Sequence, residues 1–207
     1  MLQGNEKSVL FATGRQVLYF CGCFVLMLFQ WRTAMVCQEE TFAEGRIIEN
    51  LQLAFLALAL ISFGCNAILR LRTRGLSLFC GGCCALAFCR ELDSVLDAAL
   101  PAVSWRIGFA FPLLAIVYIL RHRNQFRSSL FLFLQTPAVV MLFSALVVII
   151  PVAQMIGHHS FLKAILVNIE HINHIKELFE EAAELIGYFI VFCASLELHF
   201  NLRQKEP

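Results

Sequence analysis

Six polar side chains recur at helical spacing just before the last apolar stretch of the chain, and together they could bind a cation. They are Glu170, His174, Glu177, Glu181, Glu184 and Tyr188. Alternating intervals of four and three residues place them on one side of a helix, at positions that usually carry Leu or Ile where helices pack. Charged groups are costly inside apolar helices and are usually functional there, so this polar stripe predicts a binding site.

The carboxylates of the polar stripe repel each other when all are ionised. In surroundings of low polarity they must share protons, pair with cations or bind a metal. The basic residues nearby are fewer than the acids require: Arg46, Arg90 and Lys176. Carboxylate oxygens with an imidazole suit a divalent metal such as Mn, Fe, Zn, Mg or Ca. The stripe residues predicted to bind the cation or metal are His174, Glu177, Glu181 and Glu184.

The segment "CRELDSVLDAAL" supplies the acidic side chains that are predicted to face the stripe, namely Glu91, Asp93 and Asp97. Helical spacing places Asp93 and Asp97 on one face with the preceding arginine. The residues predicted to surround and orient the site are Arg90, Glu49, Arg46 and Tyr188. Carboxylate-bridged dimetal bundles also pair acids with His on facing helices, but their motif is Glu-x-x-His. This chain has the reverse order, His174-x-x-Glu177, which counts against a dimetal centre.

The elements that must position these residues are predicted to be transmembrane helices. Of 207 residues, 59% are hydrophobic and 15% are charged, whereas soluble domains average about 25% charged residues. The predicted fold class is all-α: one membrane domain over 1–207, forming a compact bundle of six spans with a kink near Pro137. The spans are expected near 15–36, 50–70, 75–98, 105–121, 129–156 and 176–200.

Basic residues fall in alternate connections, which predicts the orientation of the bundle. They are Lys7 and Arg15, then Arg70, Arg72 and Arg74, then Arg121, Arg123 and Arg127, then Arg203 and Lys205. Because cytoplasmic loops are enriched in Lys and Arg, both termini are predicted to be cytoplasmic and the polar stripe to face outward. The expected surroundings are a lipid bilayer, and a net charge of +1 predicts no nucleic-acid partner.

Two functions of different classes remain open. In the first, the site binds a cation or metal for chemistry on a membrane-embedded substrate, or for movement of ions or protons. Movement is less favoured, because Glu197 is the one acid deep in the predicted cytoplasmic half. In the second, the protein is a non-enzymatic accessory or assembly subunit, and the acids pair with basic residues of a membrane-protein partner or a second copy. No catalytic residue is predicted, since no phosphate loop, nucleophile elbow or H-E-x-x-H occurs.

Two further motifs suggest other chemistry. One comprises His158, His159 and Ser160, the pair His171 and His174, and "RELD". It resembles the Ser, His and Asp set of zinc-dependent alkaline-ceramidase-like membrane hydrolases, although spacing and span count differ. This resemblance leaves a zinc-dependent intramembrane lipid hydrolase as a further alternative. Cys80-Gly-Gly-Cys83 has redox spacing, but small residues beside Gly are also what close helix packing requires.

Three segments, "EGRIIENLQLAFLALAL", "CRELDSVLDA" and "KELFEEAAELIGYFIVF", resemble a group of small multi-span bacterial inner-membrane proteins. In that pattern an acidic residue opens a span, a Glu-containing element follows in the next span, and a Glu-rich helix closes the chain. The resemblance covers spans two, three and six. It implies the bacterial inner membrane and no particular activity.

Overall fold

A computed structural model describes residues 4–37, 47–156, 158 and 172–204. Within these ranges every regular element is a helix, which confirms the all-α prediction. Short 3₁₀ turns at Leu71–Thr73 and Ser104–Phe109 and a π-helical stretch at Val148–Val152 lie between the α-helices. The α-helices are α1 Gly4–Cys37, α2 Ile47–Leu69, α3 Arg74–Glu91, α4 Asp93–Ala99, α5 Ala110–Arg121, α6 Arg123–Leu134, α7 Pro137–Val147, α8 Ala153–Ile156 and α9 Ile172–Gln204.

Several of these helices are long and apolar enough to cross a membrane. Five straight stretches qualify: Val9–Thr33, Ile47–Leu69, Ser104–Arg121, Pro137–Met155 and Leu178–Asn201. A bent pair, Leu71–Glu91 with Asp93–Ala99, qualifies when its two parts are taken together. The described residues therefore contain five helices that could span a bilayer, or six if the bent pair counts as one span. Their outward faces carry exposed apolar side chains such as Phe20 and Ile68, which suit contact with lipid.

The expected single helix over 75–98 is divided at Leu92. Helix α3 ends at Glu91, α4 begins at Asp93, and the two axes differ by 75°. The Asp93 carboxylate accepts a hydrogen bond from the backbone N–H of Ser94 at 2.6 Å. Asp and Ser side chains make such local bonds in competition with helical ones, which favours a new helix start here. Consequently Asp93 and Asp97 do not continue the face of α3.

The expected helix over 129–156 is also divided, at the position where a kink was predicted. Helix α6 ends at Leu134 and α7 begins at Pro137, while Thr136 between them is extended, with φ −107° and ψ 149°. Proline lacks a backbone N–H and disfavours helical geometry in the preceding residue, so the helix cannot pass through this point unbroken. The proline instead opens the next helix.

Helices α2, α3 and α9 form the centre of the molecule. Helix α2 packs against both α3 and α9, α3 also packs against α5, and α9 also packs against α7 and α1. The face of α2 at intervals of four and three residues is fully buried, and it consists of Gln52, Leu56, Ala59, Phe63 and Asn66. Its apolar members join Tyr188 and Val191 of α9 in the core. The polar members at either end of this face are placed inside the bundle.

Close contact between α3 and α5 depends on a glycine of the Cys80-Gly-Gly-Cys83 segment. A Cβ atom at Gly82 would lie 2.9 Å from the backbone carbon of Phe111 and the nitrogen of Pro112. No side chain larger than hydrogen fits there without moving backbone. The described cysteines, including Cys80 and Cys83, are free thiols. These observations agree with a packing role for this segment.

Candidate functional site

Three helices bring a set of polar side chains together at one end of the bundle. Helix α2 contributes one residue, α3 contributes two at its last turn, and α9 contributes three from the polar stripe. We name this set the Glu184 cluster, and it consists of Gln52, Arg90, Glu91, Glu181, Glu184 and Tyr188. Tight packing of α2 against α3 and α9 fixes their relative positions.

Glu181 is held by the amide of Gln52. The Gln52 Nε2 donates to Glu181 Oε2 at 2.7 Å and to the Glu181 backbone oxygen at 3.2 Å. Gln52 is 0% exposed, and its Oε1 has no hydrogen-bond partner among the described residues. A buried acceptor without a donor costs about 1–3 kcal/mol. A donor or a cation beside this oxygen would remove that cost.

Arg90 is placed between two glutamates. Its Nη2 donates to Glu184 Oε1, and its Nε lies 3.7 Å from Glu91 Oε1. The side chains of Glu184 and Glu91 are 2% and 8% exposed, whereas that of Arg90 is 43% exposed. The guanidinium therefore neutralises charge on its inner side while part of it reaches the molecular surface.

Tyr188 connects the acidic groups to the core. Its hydroxyl donates to Glu91 Oε1 at 2.8 Å, and its ring is buried among the core residues one turn from Glu184. The phenol thus marks the boundary between the charged end of α9 and the apolar middle of the bundle.

The charges of the Glu184 cluster do not balance. Three glutamates, at 91, 181 and 184, face one arginine among the described side chains. Lys176 does not join them, because its Nζ lies 4.0 Å from Glu180 Oε2, off the polar stripe. With all groups ionised the cluster would carry two more negative than positive charges. Buried carboxylates in such excess hold protons or attract a cation.

The remaining predicted site residues have different outcomes. Asp93 and Asp97 lie on α4 with exposed side chains, outside the Glu184 cluster. Glu49 lies three residues before Gln52 on α2, close enough to Glu91 for their charges to interact. The backbones of His174 and Glu177 belong to α9, but their side chains lie outside the described structure, as do Glu170 and Arg46 entirely.

The metal prediction is not resolved by the described side chains. Among them, no three His, Cys, Asp or Glu groups are arranged to hold a metal ion. Of the residues that suggested a zinc hydrolase, His158 is exposed, while His159, Ser160 and His171 lie outside the described ranges. A metal at the Glu184 cluster therefore stays a prediction that involves the side chains of His174 and Glu177.

A second charged group lies at the opposite end of α9, and it is balanced. Arg15 of α1 donates from Nε and Nη2 to the two carboxylate oxygens of Glu197, at 3.0 and 2.9 Å. Asn201 donates to the same carboxylate at 2.8 Å, and Tyr19 donates at 3.4 Å. The Glu197 side chain is fully buried. Among the described side chains, one arginine therefore meets one glutamate, and the two charges balance.

Apolar packing separates the two charged groups. Glu184 and Glu197 are thirteen residues apart on one helix, which corresponds to about 20 Å. Leu56 and Phe63 of α2 and Val191 of α9 fill the space between them as buried core. A continuous polar path along α9 is not formed by these side chains.

An apolar cavity of about 400 Å³ adjoins the Glu184 cluster. Its walls come from α3, from α7 with the π-helical stretch, and from the middle of α9. Arg90 and Tyr188 form its polar end, and Trp105 is also among its lining residues. Cys80, Cys83 and Cys84 line the wall of α3. The cavity thus joins a mostly apolar space to the charged groups.

Gln52 is the cluster residue that sequence reasoning missed. A neutral amide in an apolar helix does not attract attention by charge. Its position on the buried face of α2, four residues before Leu56, was the available signal.

Comparison of the chain with protein-family models, with curated proteins and with solved structures gives no match. The function must therefore be inferred from the geometry of this cluster.

Proposed function

We propose that this protein is a multi-pass protein of the bacterial inner membrane whose Glu184 cluster faces the periplasm and binds a cation. The alternation of basic segments supports this orientation, because it assigns Arg15, Arg72 and Arg123 to the cytoplasmic side. The five helices that could span a membrane, with the bent pair α3–α4 as the sixth, support a multi-pass arrangement.

The observation that carries the proposal is the environment of Gln52 and Glu181. An acceptor oxygen of Gln52 is buried without a donor, beside a carboxylate whose described side-chain partner is that same neutral amide. The guanidinium that the described side chains bring to the cluster, on Arg90, is already shared by two other glutamates. A cation bound beside Gln52 Oε1 would satisfy this acceptor and offset the excess negative charge of the cluster.

The proposed site is fixed and does not belong to a conduction path. The apolar core residues between Glu184 and Glu197 separate the cluster from the other end of α9. The Arg15–Glu197 pair at that end is neutral overall. Movement of ions through the bundle would require polar groups where Leu56, Phe63 and Val191 lie.

The test is a cation titration of the purified protein in detergent. The midpoint of thermal unfolding, Tm, is measured with Mn²⁺, Zn²⁺, Mg²⁺, Ca²⁺, Na⁺ and ethanolammonium, against tetramethylammonium at equal ionic strength. A binding cation at about 100 times its Kd adds about 2.7 kcal/mol of stability, which corresponds to several degrees in Tm for a chain of this size.

Glu181→Gln is expected to abolish the rise in Tm, whereas Glu180→Gln is expected to preserve it. Both substitutions remove one negative charge from the same turn of α9. Glu180 pairs with Lys176 outside the cluster, which makes it the matched control. If no cation raises Tm above the tetramethylammonium reference, the proposal is wrong.

A second candidate function is that of an accessory subunit, which the exposed acids of α4 favour. Asp93 and Asp97 are both exposed and lie four residues apart on a short helix at the same end of the bundle. They could pair with basic residues of a membrane-protein partner. Purification of the intact complex in mild detergent tests this function: a stoichiometric partner that is lost in Asp93→Asn with Asp97→Asn supports it, and a homogeneous single chain contradicts it.

A further inference from the structure

The cavity beside the Glu184 cluster opens sideways, toward the lipid-facing surface of the bundle. Its rim includes the exposed side chains of Cys83 on α3, Leu146 on α7 and Ile150 in the π-helical stretch. Helix α3 packs on α2 and α7 packs on α9, and the cavity occupies the space between α3 and α7. A ligand could therefore enter directly from the bilayer.

The size and lining of the cavity suit a hydrocarbon chain. Its volume of about 400 Å³ falls within the range of known ligand sites, roughly 300–1,000 Å³. Leu56, Phe79, Leu142 and Ile149 contribute apolar walls along its length. Each methylene group moved from water into such a space contributes about 0.8 kcal/mol, so these walls can retain an acyl chain.

The polar end of the cavity provides a cation for an anionic group. Arg90 donates to Glu184 from Nη2, while its side chain remains 43% exposed. A guanidinium has five N–H donors in a planar fork, and those not used for glutamate can bind a phosphate oxygen. Trp105, whose ring carries an N–H donor, also lines the cavity.

The glutamates beyond Arg90 provide acceptors for a cationic group. Glu181, Glu184 and Glu91 exceed the one arginine in charge, and Gln52 Oε1 is a buried acceptor without a donor. A primary ammonium group has three N–H donors and no acceptor, which matches this set. Gln52 lies one helical turn from Leu56 of the cavity wall, and Glu184 accepts a hydrogen bond from Arg90, so these acceptors lie behind Arg90 at the polar end of the cavity.

We propose that the ligand is a zwitterionic phospholipid with a primary ammonium headgroup, of the phosphatidylethanolamine class. Its acyl chain occupies the cavity, its phosphate binds Arg90, and its ammonium lies among Gln52, Glu181 and Glu184. This inference rests on the proposed cation site and names the cation. An anionic lipid would bring no positive charge to the glutamates, and a choline headgroup would bring a cation without N–H donors.

The experiment measures lipid binding to the full chain in detergent by native mass spectrometry and by the rise in Tm. Phosphatidylethanolamine, phosphatidylcholine and phosphatidylglycerol with identical acyl chains are compared. Binding of phosphatidylethanolamine is expected to be at least tenfold tighter than binding of the other two. Equal binding of phosphatidylcholine would overturn the ammonium assignment, and preference for phosphatidylglycerol would overturn the charge assignment.

Ala87→Phe separates the lipid inference from the cation site. Ala87 lines the cavity, so a phenyl ring there blocks the acyl chain without altering any charged residue. The variant is expected to keep its Tm response to soluble ethanolammonium and to lose phosphatidylethanolamine. Ala110→Phe, at an exposed position of α5, is the matched control and should bind the lipid normally.

The failures are distinguishable. If wild type responds to a soluble cation but binds no phosphatidylethanolamine, the lipid inference is wrong and the cation site stands. If neither ligand has an effect, both are wrong. Retention of the lipid by Ala87→Phe shows that the acyl chain does not use this cavity.

Discussion

Arg90 on α3 and Glu184 on α9 form an ion pair between residues that are 94 positions apart in the chain. The pair joins the last turn of one helix to the outer part of another and leaves Glu184 almost completely buried. Breaking a buried pair by removing one partner is costly, because the other charge stays behind without compensation. The pair is therefore expected to control both the stability and the charge of the cluster.

Removal of Arg90 should destabilise the protein strongly. Arg90→Ala leaves Glu184 and Glu91 buried without a cation, and we expect a loss of about 3 kcal/mol, the low end for buried pairs because Arg90 is 43% exposed. Detergent unfolding followed by circular dichroism measures the loss. The double variant Arg90→Ala with Glu184→Gln should recover part of it, and a double variant no more stable than Arg90→Ala would contradict the pairing.

Loss of the Tyr188 hydroxyl should have a smaller effect. Tyr188→Phe removes the 2.8 Å hydrogen bond to Glu91 while keeping the buried ring. A hydrogen bond to a charged acceptor contributes about 1.5–3 kcal/mol, and we expect a decrease in the free energy of unfolding in that range. Tyr118→Phe makes the same chemical change on α5, away from the cluster, and should be nearly neutral. Equal effects of the two substitutions would argue against the Glu91 contact.

Substitution of Arg15, at the opposite end of α9, should lower the stability of the protein without changing its affinity for a cation. Arg15→Ala leaves the fully buried Glu197 without its cation, and we expect a loss of about 3–5 kcal/mol. Because this pair is separated from the Glu184 cluster by core residues, the affinity of the folded protein for a cation should stay unchanged. Cation titration of Arg15→Ala checks this, and a tenfold loss of affinity would show that the two ends are coupled.

Close packing of α3 on α5 gives a prediction with an internal control. Gly82→Ala places a Cβ atom 2.9 Å from backbone atoms of Phe111 and Pro112, and we expect destabilisation of about 1–3 kcal/mol from overpacking. Gly64→Ala on α2 meets nothing within 4 Å and should stabilise its helix by about 0.5–1 kcal/mol. Thermal unfolding of both variants measures the difference, and the same sign of change in both would be inconsistent with the packing of α3 on α5.

The orientation of the chain can be tested by labelling introduced cysteines in intact cells. Arg72→Cys and Arg123→Cys are expected to resist a reagent that cannot cross the membrane, whereas Asp97→Cys is expected to react. In the proposed orientation the basic residues lie on the cytoplasmic side, and α4 belongs to the opposite end. The unsubstituted chain gives the background from its native cysteines. Labelling at residues 72 or 123, with protection at 97, would reverse the proposed orientation.

Helical periodicity was sufficient to find most of the Glu184 cluster. The spacing of Glu181, Glu184 and Tyr188 placed them on one face of a helix, and in the structure Arg90 and Glu91 contact residues of that face. Periodicity could not predict that Gln52 belongs to the cluster, because an uncharged side chain can be assigned to a site only when the helix that it contacts is known. The position of Gln52 in the cluster depends on contacts between α2 and α9, which the sequence pattern of one helix does not predict.

Periodicity failed where a helix ended without a proline or glycine. The expected span over 75–98 continued the α3 pattern through Leu92 to Asp97, but local bonding of Asp93 favours a new helix there. By contrast, the break before Pro137 could be predicted because proline restricts its predecessor by covalent geometry. Strong covalent constraints are readable from sequence, whereas competition between weak hydrogen bonds is not.

The bend at Leu92 also sets the length of α3, which can be compared with the thickness of a bilayer. Helix α3 contains 18 residues before the bend, a rise of about 27 Å, which is close to the thickness of the hydrocarbon layer of a bilayer. With α3 spanning the bilayer as proposed, its penultimate residue, Arg90, lies at the level where lipid headgroups begin. In that arrangement the length of α3, and not the chemistry of its neighbours alone, places the guanidinium at the level of lipid phosphate.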